Sequence, residues 1–443
     1  MRGPPVLAEA SDKASTMSSP SSPSSPSSPS SPSSPSSPSS PLASSSRRAS
    51  WPPRRQPLAL VALAATAILL PPALLLVLLP RSHNIVPPAI RIPVSILSSA
   101  PTIPPPARLD NDDDTAANCL RGRCSAFSFD AASPPLRPAW MSRLPDSAPL
   151  TALSIPGTHD TMTYGLADNV ELQCQNWNLS VQLDAGLRYF DIRARLRDDE
   201  LRIYHADGDT GFDLAHVLRA MFAFLDANPT EAIVMRLKEE GRPVGTNNSL
   251  SFEQAFNRYR THDPRTAPGA ARHLRLYDGV ARHEPIPTLG ALRSRIFLLQ
   301  EFASPDAGPY GLSWDGPQMA LEDAWVVPDI YHLADKWVAI RGALERAVTE
   351  PLNNTRLYLA HVSASVGVLP VDAAAGPCNR SVTGMNDMTA QWLLDFDGRP
   401  GVTPRTGVVI FDFPGRRAID AVIAWNKVPS PPLSRLRRAQ RAV

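Results

Sequence analysis

Five short apolar runs in this sequence lead directly into side chains that move protons or bind phosphate. Residues 152–156 run into Gly157-Thr158-His159-Asp160, and residues 189–190 into Asp191-Ile192-Arg193. Residues 201–204 run into His205, 232–237 into Lys238-Glu239, and 408–411 into Asp412. Two histidines, an arginine and several carboxylates in one place are the equipment for phosphate-ester chemistry. One histidine accepts a proton from a nucleophile while the other donates one to the leaving oxygen. An arginine fork binds the phosphate and offsets charge in the transition state. An aspartate beside each histidine holds its tautomer and favours its protonated form. Taken singly, each residue has a plainer explanation. His159-Asp160 reads as a capped turn, a histidine after a strand as structural, and Arg193 as a surface ion pair. Their joint position at successive strand ends favours chemistry.

The elements that must hold them lie between residues 138 and 428. Strands are expected at 152–156, 189–195, 201–204, 232–238, 296–302, 357–362 and 408–413, and helices at 214–227, 252–259, 335–348, 388–395 and 417–426. Strands apolar on both faces, alternating with helices over about 290 residues, predict an α/β fold with a parallel sheet covered by helices. At this length a closed (β/α) barrel comes first and an open doubly wound sheet second, and a barrel gathers its strand ends on one face. No GxGxxG or GxxxxGK[ST] follows a strand, which weakens nucleotide-binding versions.

The rest of the 443 residues differ in texture. The chain holds 48 prolines, about twice the usual share. Residues 1–57 contain a Ser-Ser-Pro repeat with nothing to bury and read as a disordered Ser/Pro-rich tail. Residues 58–79 carry no charge and are long enough for a transmembrane signal anchor. More arginines precede this run than closely follow it, which keeps the tail cytoplasmic and places the bulk of the chain on the luminal or extracellular side. Four glycosylation sequons, at Asn178, Asn247, Asn353 and Asn379, and the close pair Cys119 and Cys124, which could close a small disulfide loop, agree with that side. Residues 80–137 read as a Pro-rich linker, 138–428 as the catalytic domain and 429–443 as a basic tail. A net charge of +2 gives no reason to expect nucleic acid as a partner, and without a CxxC pair a zinc ribbon is not expected.

The quoted residues resemble a known family. Leu153-Ser154-Ile155-Pro156-Gly157-Thr158-His159-Asp160 is similar to the opening of the bacterial-type phosphatidylinositol-specific phospholipase C X domain, within the PLC-like phosphodiesterase superfamily. The stretches 182–193, 228–238 and 408–413 continue the likeness, which spans about two-thirds of the chain. The resemblance implies a distorted TIM barrel and a phospholipid substrate. It makes His159 the general base oriented by Asp412, His205 the general acid partnered by Asp160, and Arg193 the phosphate-binding arginine. It also places Lys238, Asp329 and Tyr331 around an inositol ring. The implied reaction is attack of the inositol 2-hydroxyl on phosphorus, releasing diacylglycerol and a cyclic inositol phosphate, with no cofactor and no metal. One position departs. After Phe297-Leu298-Leu299-Gln300, the bacterial enzymes carry an inositol-contacting arginine, and this chain has Glu301. That leaves two other readings open: a catalytically silent barrel that binds lipid headgroups, and a metal-dependent glycerophosphodiesterase-like enzyme.

Overall fold

The computed structural model describes residues 127–128, 134–276, 285–352, 354–379, 381–396 and 405–427, all within the second of two compact units, Pro104–Val443. The Ser/Pro-rich tail, the apolar run 58–79, Cys119, Cys124, the sequon residue Asn353 and the basic tail lie outside the described residues. So does most of the linker, although Ser128 is buried and its Oγ donates to the Ala374 carbonyl.

In chain order the elements are β1 Ser154–Thr158, α1 Leu179–Ala185, β2 Tyr189–Arg197, β3 Glu200–His205, β4 Gly208–Asp213, α2 Leu214–Ala227 and β5 Ala232–Glu239. Then come α3 Phe252–Thr261, α4 Ala267–His273, β6 Leu274–Arg275, α5 Leu289–Leu292, β7 Arg295–Glu301, β8 Leu312–Ser313, β9 Met319–Glu322 and β10 Val326–Val327. The chain continues through α6 Leu333–Thr349, β11 Leu357–His361, β12 Ser365–Val366, α7 Pro370–Ala375, α8 Met385–Asp395, β13 Gly407–Phe411 and α9 Arg416–Ile423.

The main sheet runs β6-β7-β5-β2-β1-β13-β11-β9 with parallel neighbours. It is a curled half-barrel rather than the closed barrel expected. Among the described residues β9 ends one side and β6 the other, with β8 also paired to β7, and no ladder joins the two sides. The inside is filled by alternate residues of each strand: Ile155, Tyr189, Val234, Phe297, Leu299, Leu359, Val408 and Ile410 share one core cluster. The intervening residues face the helices, as Ile192, Met235 and Leu298 do. This two-residue period follows from strand geometry. A Cβ on Gly157 would lie 2.5 Å from the Tyr189 Cβ, so only glycine lets β1 approach β2 this closely.

Two helices illustrate how the sequence sets their limits. Asp213 caps α2 by accepting the His216 N–H, and the helix stops just before Asn228-Pro229. Asn178 caps α1 by accepting the Val181 N–H, so this sequon asparagine has a local structural use.

The single-pass membrane placement, with a luminal or extracellular catalytic domain, is corrected. No helix among the described residues is long and apolar enough to cross a membrane. The run that carried the expectation, 58–79, is not among them.

Candidate active site

The inward-facing residues at the C-terminal ends of the strands form the site. Continuing the inward period gives His159 after β1, Asp191 and Arg193 on β2, Arg236 and Lys238 on β5, Glu301 on β7, His361 on β11 and Asp412 after β13. The register Asp191↔Arg236 and Arg193↔Lys238 sets these polar side chains abreast. His205 arrives differently. β3 runs antiparallel to β2, which overshoots the barrel, and the hairpin folds back so that His205 returns over the mouth.

Asp160 is the hub. It adopts φ +40°, a left-handed conformation that aspartate tolerates and that recurs at functional sites. Its Oδ1 lies 2.9 Å from Arg193 Nε. Its Oδ2 lies 3.0 Å from His159 Nε2 and 3.2 Å from His205 Nε2. That oxygen receives no aligned hydrogen bond from either ring. His159 Nδ1 is 2.9 Å from Asp412 Oδ1, and His205 Nδ1 is 2.8 Å from the Leu172 carbonyl, so the second nitrogen of each ring is fixed. Arg193 also pairs with Asp191 through Nη2 at 3.0 Å.

Charges decide the protonation states. Burial opposes a charged imidazole at 159, but Asp160 and Asp412 outweigh it and raise the pKa well above the ordinary histidine value. Burial raises Asp160, yet Arg193, His159 and His205 overcome it and hold this carboxyl below the usual carboxylate range. Asp191 is held low by Arg193 and Arg236 against its burial. Asp412 is raised by burial, only partly offset by His159. His361, 6.1 Å from His159 between ring centroids, is kept neutral by burial and by the nearby Arg236 and His159.

His159, Arg193, His205, Arg236, Lys238 and Asp412 line one cavity of about 660 Å³. Its other wall comes from Asp323, Trp325 and the segment 363–370. β10 and β12 pair across this rim, where Val366 sits at φ +82°, a strained conformation for a β-branched residue. Lys238 Nζ ion-pairs with Glu240 at 2.8 Å.

Six of the eight sequence-predicted residues come together: His159, Asp160, Arg193, His205 and Asp412 touch or surround one centre, and Lys238 faces the same cavity, but Asp329 and Tyr331 do not. Asp329 caps a short 3-10 turn, Ile330–His332, and pairs with His332, while Tyr331 is 75% exposed. Asp323 and Trp325 line the cavity instead. Arg236, Asp323 and His361 are absent from the strand-end reading, and Asp191 stands in it without a role; the inward two-residue period is the signal that contains all four.

A metal would find ligand atoms of His159, Asp160 and Cys174 within 4.8 Å of one another. Arg193, however, already puts a fixed positive charge on the Asp160 carboxylate.

A profile of the family described as "Phosphatidylinositol-specific phospholipase C, X domain" matches residues 147–301. The 1-phosphatidylinositol phosphodiesterase of Listeria monocytogenes is 31% identical over 304 residues, covering 65% of this chain and 84% of that protein. The protein of the same name from Staphylococcus aureus is 32% identical over 129 residues, 28% of this chain and 41% of its own length. Among solved structures, the phosphatidylinositol-specific phospholipase C from Listeria monocytogenes matches with a TM-score of 0.53 at 29% identity, covering 66% of this chain and 100% of that one. A variant of the Staphylococcus aureus enzyme matches in fold with a TM-score of 0.55 at 21% identity, covering 67% and 98%. With the His159–Asp160–Arg193 centre at the open end of the half-barrel, these matches place the chain in the phosphatidylinositol-specific phospholipase C X-domain family, as a phosphodiesterase of that type.

Proposed function

We propose that the protein cleaves phosphatidylinositol-type lipids by histidine general acid–base catalysis, releasing diacylglycerol and a cyclic inositol phosphate. The observation that carries this reading is the pair of histidines converging on the Arg193-bound carboxylate of Asp160. His159, oriented by Asp412, takes the proton of the inositol 2-hydroxyl as that oxygen attacks phosphorus. His205 gives a proton to the glycerol oxygen as the P–O bond to diacylglycerol breaks. Arg193 donates to the phosphate oxygens on which charge builds. The nucleophile is part of the substrate and already stands beside phosphorus, which favours cyclisation over attack by water.

Lys238 and Asp323 offer a donor and an acceptor to ring hydroxyls from opposite walls of the cavity. Trp325 and Val366, 47% and 69% exposed at its rim, give an apolar edge suited to a substrate held in a lipid surface. Arg193 supplies the positive charge, so the scheme requires no metal.

The test is a panel of phospholipids offered to the full chain, with the phosphorus-containing products resolved by NMR. Phosphatidylinositol should yield a five-membered cyclic phosphate first. A linear phosphate as the first product, or cleavage of choline and ethanolamine lipids at the same rate, defeats the proposal.

A further inference from the structure

At the level of sequence, Glu301 reads as a lost cation at the end of β7. The structure places one beside it, on the neighbouring strand. Arg236 faces the interior of β5, its side chain is 4% exposed, and it lines the same cavity as His159, Arg193 and Lys238. Its guanidinium is held on three sides. Nε donates to Glu301 Oε2 at 2.6 Å, and Nη2 lies 2.5 Å from the same oxygen. Nη1 donates to Asp191 Oδ1 at 3.3 Å. The guanidinium carbon stands 3.9 Å from the centroid of the Trp314 ring, a cation–π contact that fixes its plane.

Asp191 ties this group to the phosphate site. One of its oxygens holds Arg193 and the other holds Arg236, so the two guanidinium groups keep a set spacing. A guanidinium has five N–H donors. The contacts above use three, leaving one on each terminal nitrogen. Burying such an assembly for stability alone is poor economy, because well-packed apolar residues do as well or better. A rigid donor pair beside a phosphate site has a use in orienting a hydroxylated ligand.

We propose that Arg236 is a specificity-determining residue, donating its two remaining N–H groups to hydroxyl oxygens of a polyol headgroup while Arg193 holds the phosphate. Glu301 is then a positioning residue that acts only through Arg236. The inference rests on the inositol-phosphodiester reading above and adds to it the residue that recognises the ring.

The experiment compares two phosphodiesters with the same good leaving group in the full chain. One carries inositol. The other carries a cis-2-hydroxycyclohexyl group, which keeps the attacking hydroxyl and lacks the other ring hydroxyls. For Arg236→Met, kcat/KM on the inositol substrate should fall roughly 10- to 100-fold, the range for losing hydrogen bonds from a charged donor, and on the cyclohexyl substrate by less than about 3-fold. Glu301→Gln should give a smaller loss of the same selectivity, and adding it to Arg236→Met should change nothing further. The pH profile should keep its shape in all variants. Thermal unfolding controls for folding, and Arg236→Lys, which keeps the buried charge but not the fork, is read by the same substrate ratio if Arg236→Met does not fold. Equal losses on both substrates, or additive effects of the two substitutions, overturn the assignment of Arg236. Absence of turnover of either substrate by the wild-type protein overturns the underlying function and this inference with it.

Discussion

His159 and His205 direct their Nε2 atoms at the same oxygen of Asp160, at 3.0 and 3.2 Å, with ring centroids 6.1 Å apart. The shared oxygen accepts no aligned hydrogen bond from either ring. A substrate phosphate that enters between the rings can therefore accept directed hydrogen bonds where Asp160 receives none. Each histidine keeps its orientation meanwhile through its other nitrogen.

The two histidines should respond differently to the leaving group. His205→Ala should lose activity severely on lipid substrates, whose alkoxide departs poorly without a proton. It should recover in part on an inositol phosphodiester with an acidic phenol as leaving group. His159→Ala should not recover, because deprotonation of the nucleophile is still required. Measured kcat/KM on both substrates decides; parallel responses of the two variants reverse or abolish the assignment.

Asp412 should set the pH at which the base becomes available. Burial lowers the His159 pKa, whereas Asp160 and Asp412 raise it further than burial lowers it. The acidic limb of kcat/KM should lie above that of a free imidazole. Asp412→Asn removes one raising charge, so that limb should move to lower pH while the maximum rate drops by roughly 10²-fold or more. Stability follows the same sign. The folded chain holds the His159 proton more tightly than the unfolded chain, so this contribution is complete below the unfolded value of about 6.5. It is lost as pH rises through the folded pKa, and Asp412→Asn should flatten that loss. Unchanged limbs in kinetics and in thermal unfolding count against the pairing.

The closed end of the half-barrel should govern stability instead. Arg188, just before β2, and Glu231, just before β5, pair at 2.9 Å with both side chains fully buried. Arg188 also donates to the Leu183, Leu187 and Pro138 carbonyls. Glu231→Leu strands a buried guanidinium and should cost about 3–5 kcal/mol. Urea unfolding measures it, and kcat/KM of the folded protein should stay unchanged. A cost under about 1 kcal/mol shows that the pair is not needed.

What the sequence disclosed, and what it did not, divides along strand geometry. His159, Arg193, Lys238 and Asp412 stand out because each follows an apolar run, and a parallel sheet brings such ends together. Arg236 and Asp323 obey the same inward period, but Arg236 lies inside an apolar run and Asp323 just past a strand of only four residues, Met319–Glu322. Asp329 and Tyr331 rest on likeness across a loop, where spacing carries no periodicity to check it. β4, Gly208–Asp213, contains two glycines and two aspartates, residues poor in strand propensity, and forms because β3 pairs with it. That antiparallel hairpin is why His205 reaches the mouth by a route the parallel reading did not contain. The opening of the barrel beyond β9 leaves no local mark in the residues at all.

Arg193 should supply the electrostatic work of the reaction, and it does so from a fixed position. Nε is held by Asp160, Nη2 by Asp191, and Nη1 stands 4.0 Å from Glu240. Those carboxylates raise its pKa against its burial, so its charge is permanent. Lysine at 193 keeps one positive charge but cannot bridge two carboxylates and still present a planar pair of donors to phosphate. Arg193→Lys should therefore reduce kcat/KM by roughly 10²-fold or more, the scale of losing one preorganised transition-state donor. Excess chelator should leave the wild-type rate intact, because the carboxylate that a divalent ion would need is bound to the arginine. The two measurements must be read together. Loss of activity in chelator with Arg193→Lys near the wild-type rate assigns the charge to a metal at His159, Asp160 and Cys174, and the arginine to structure.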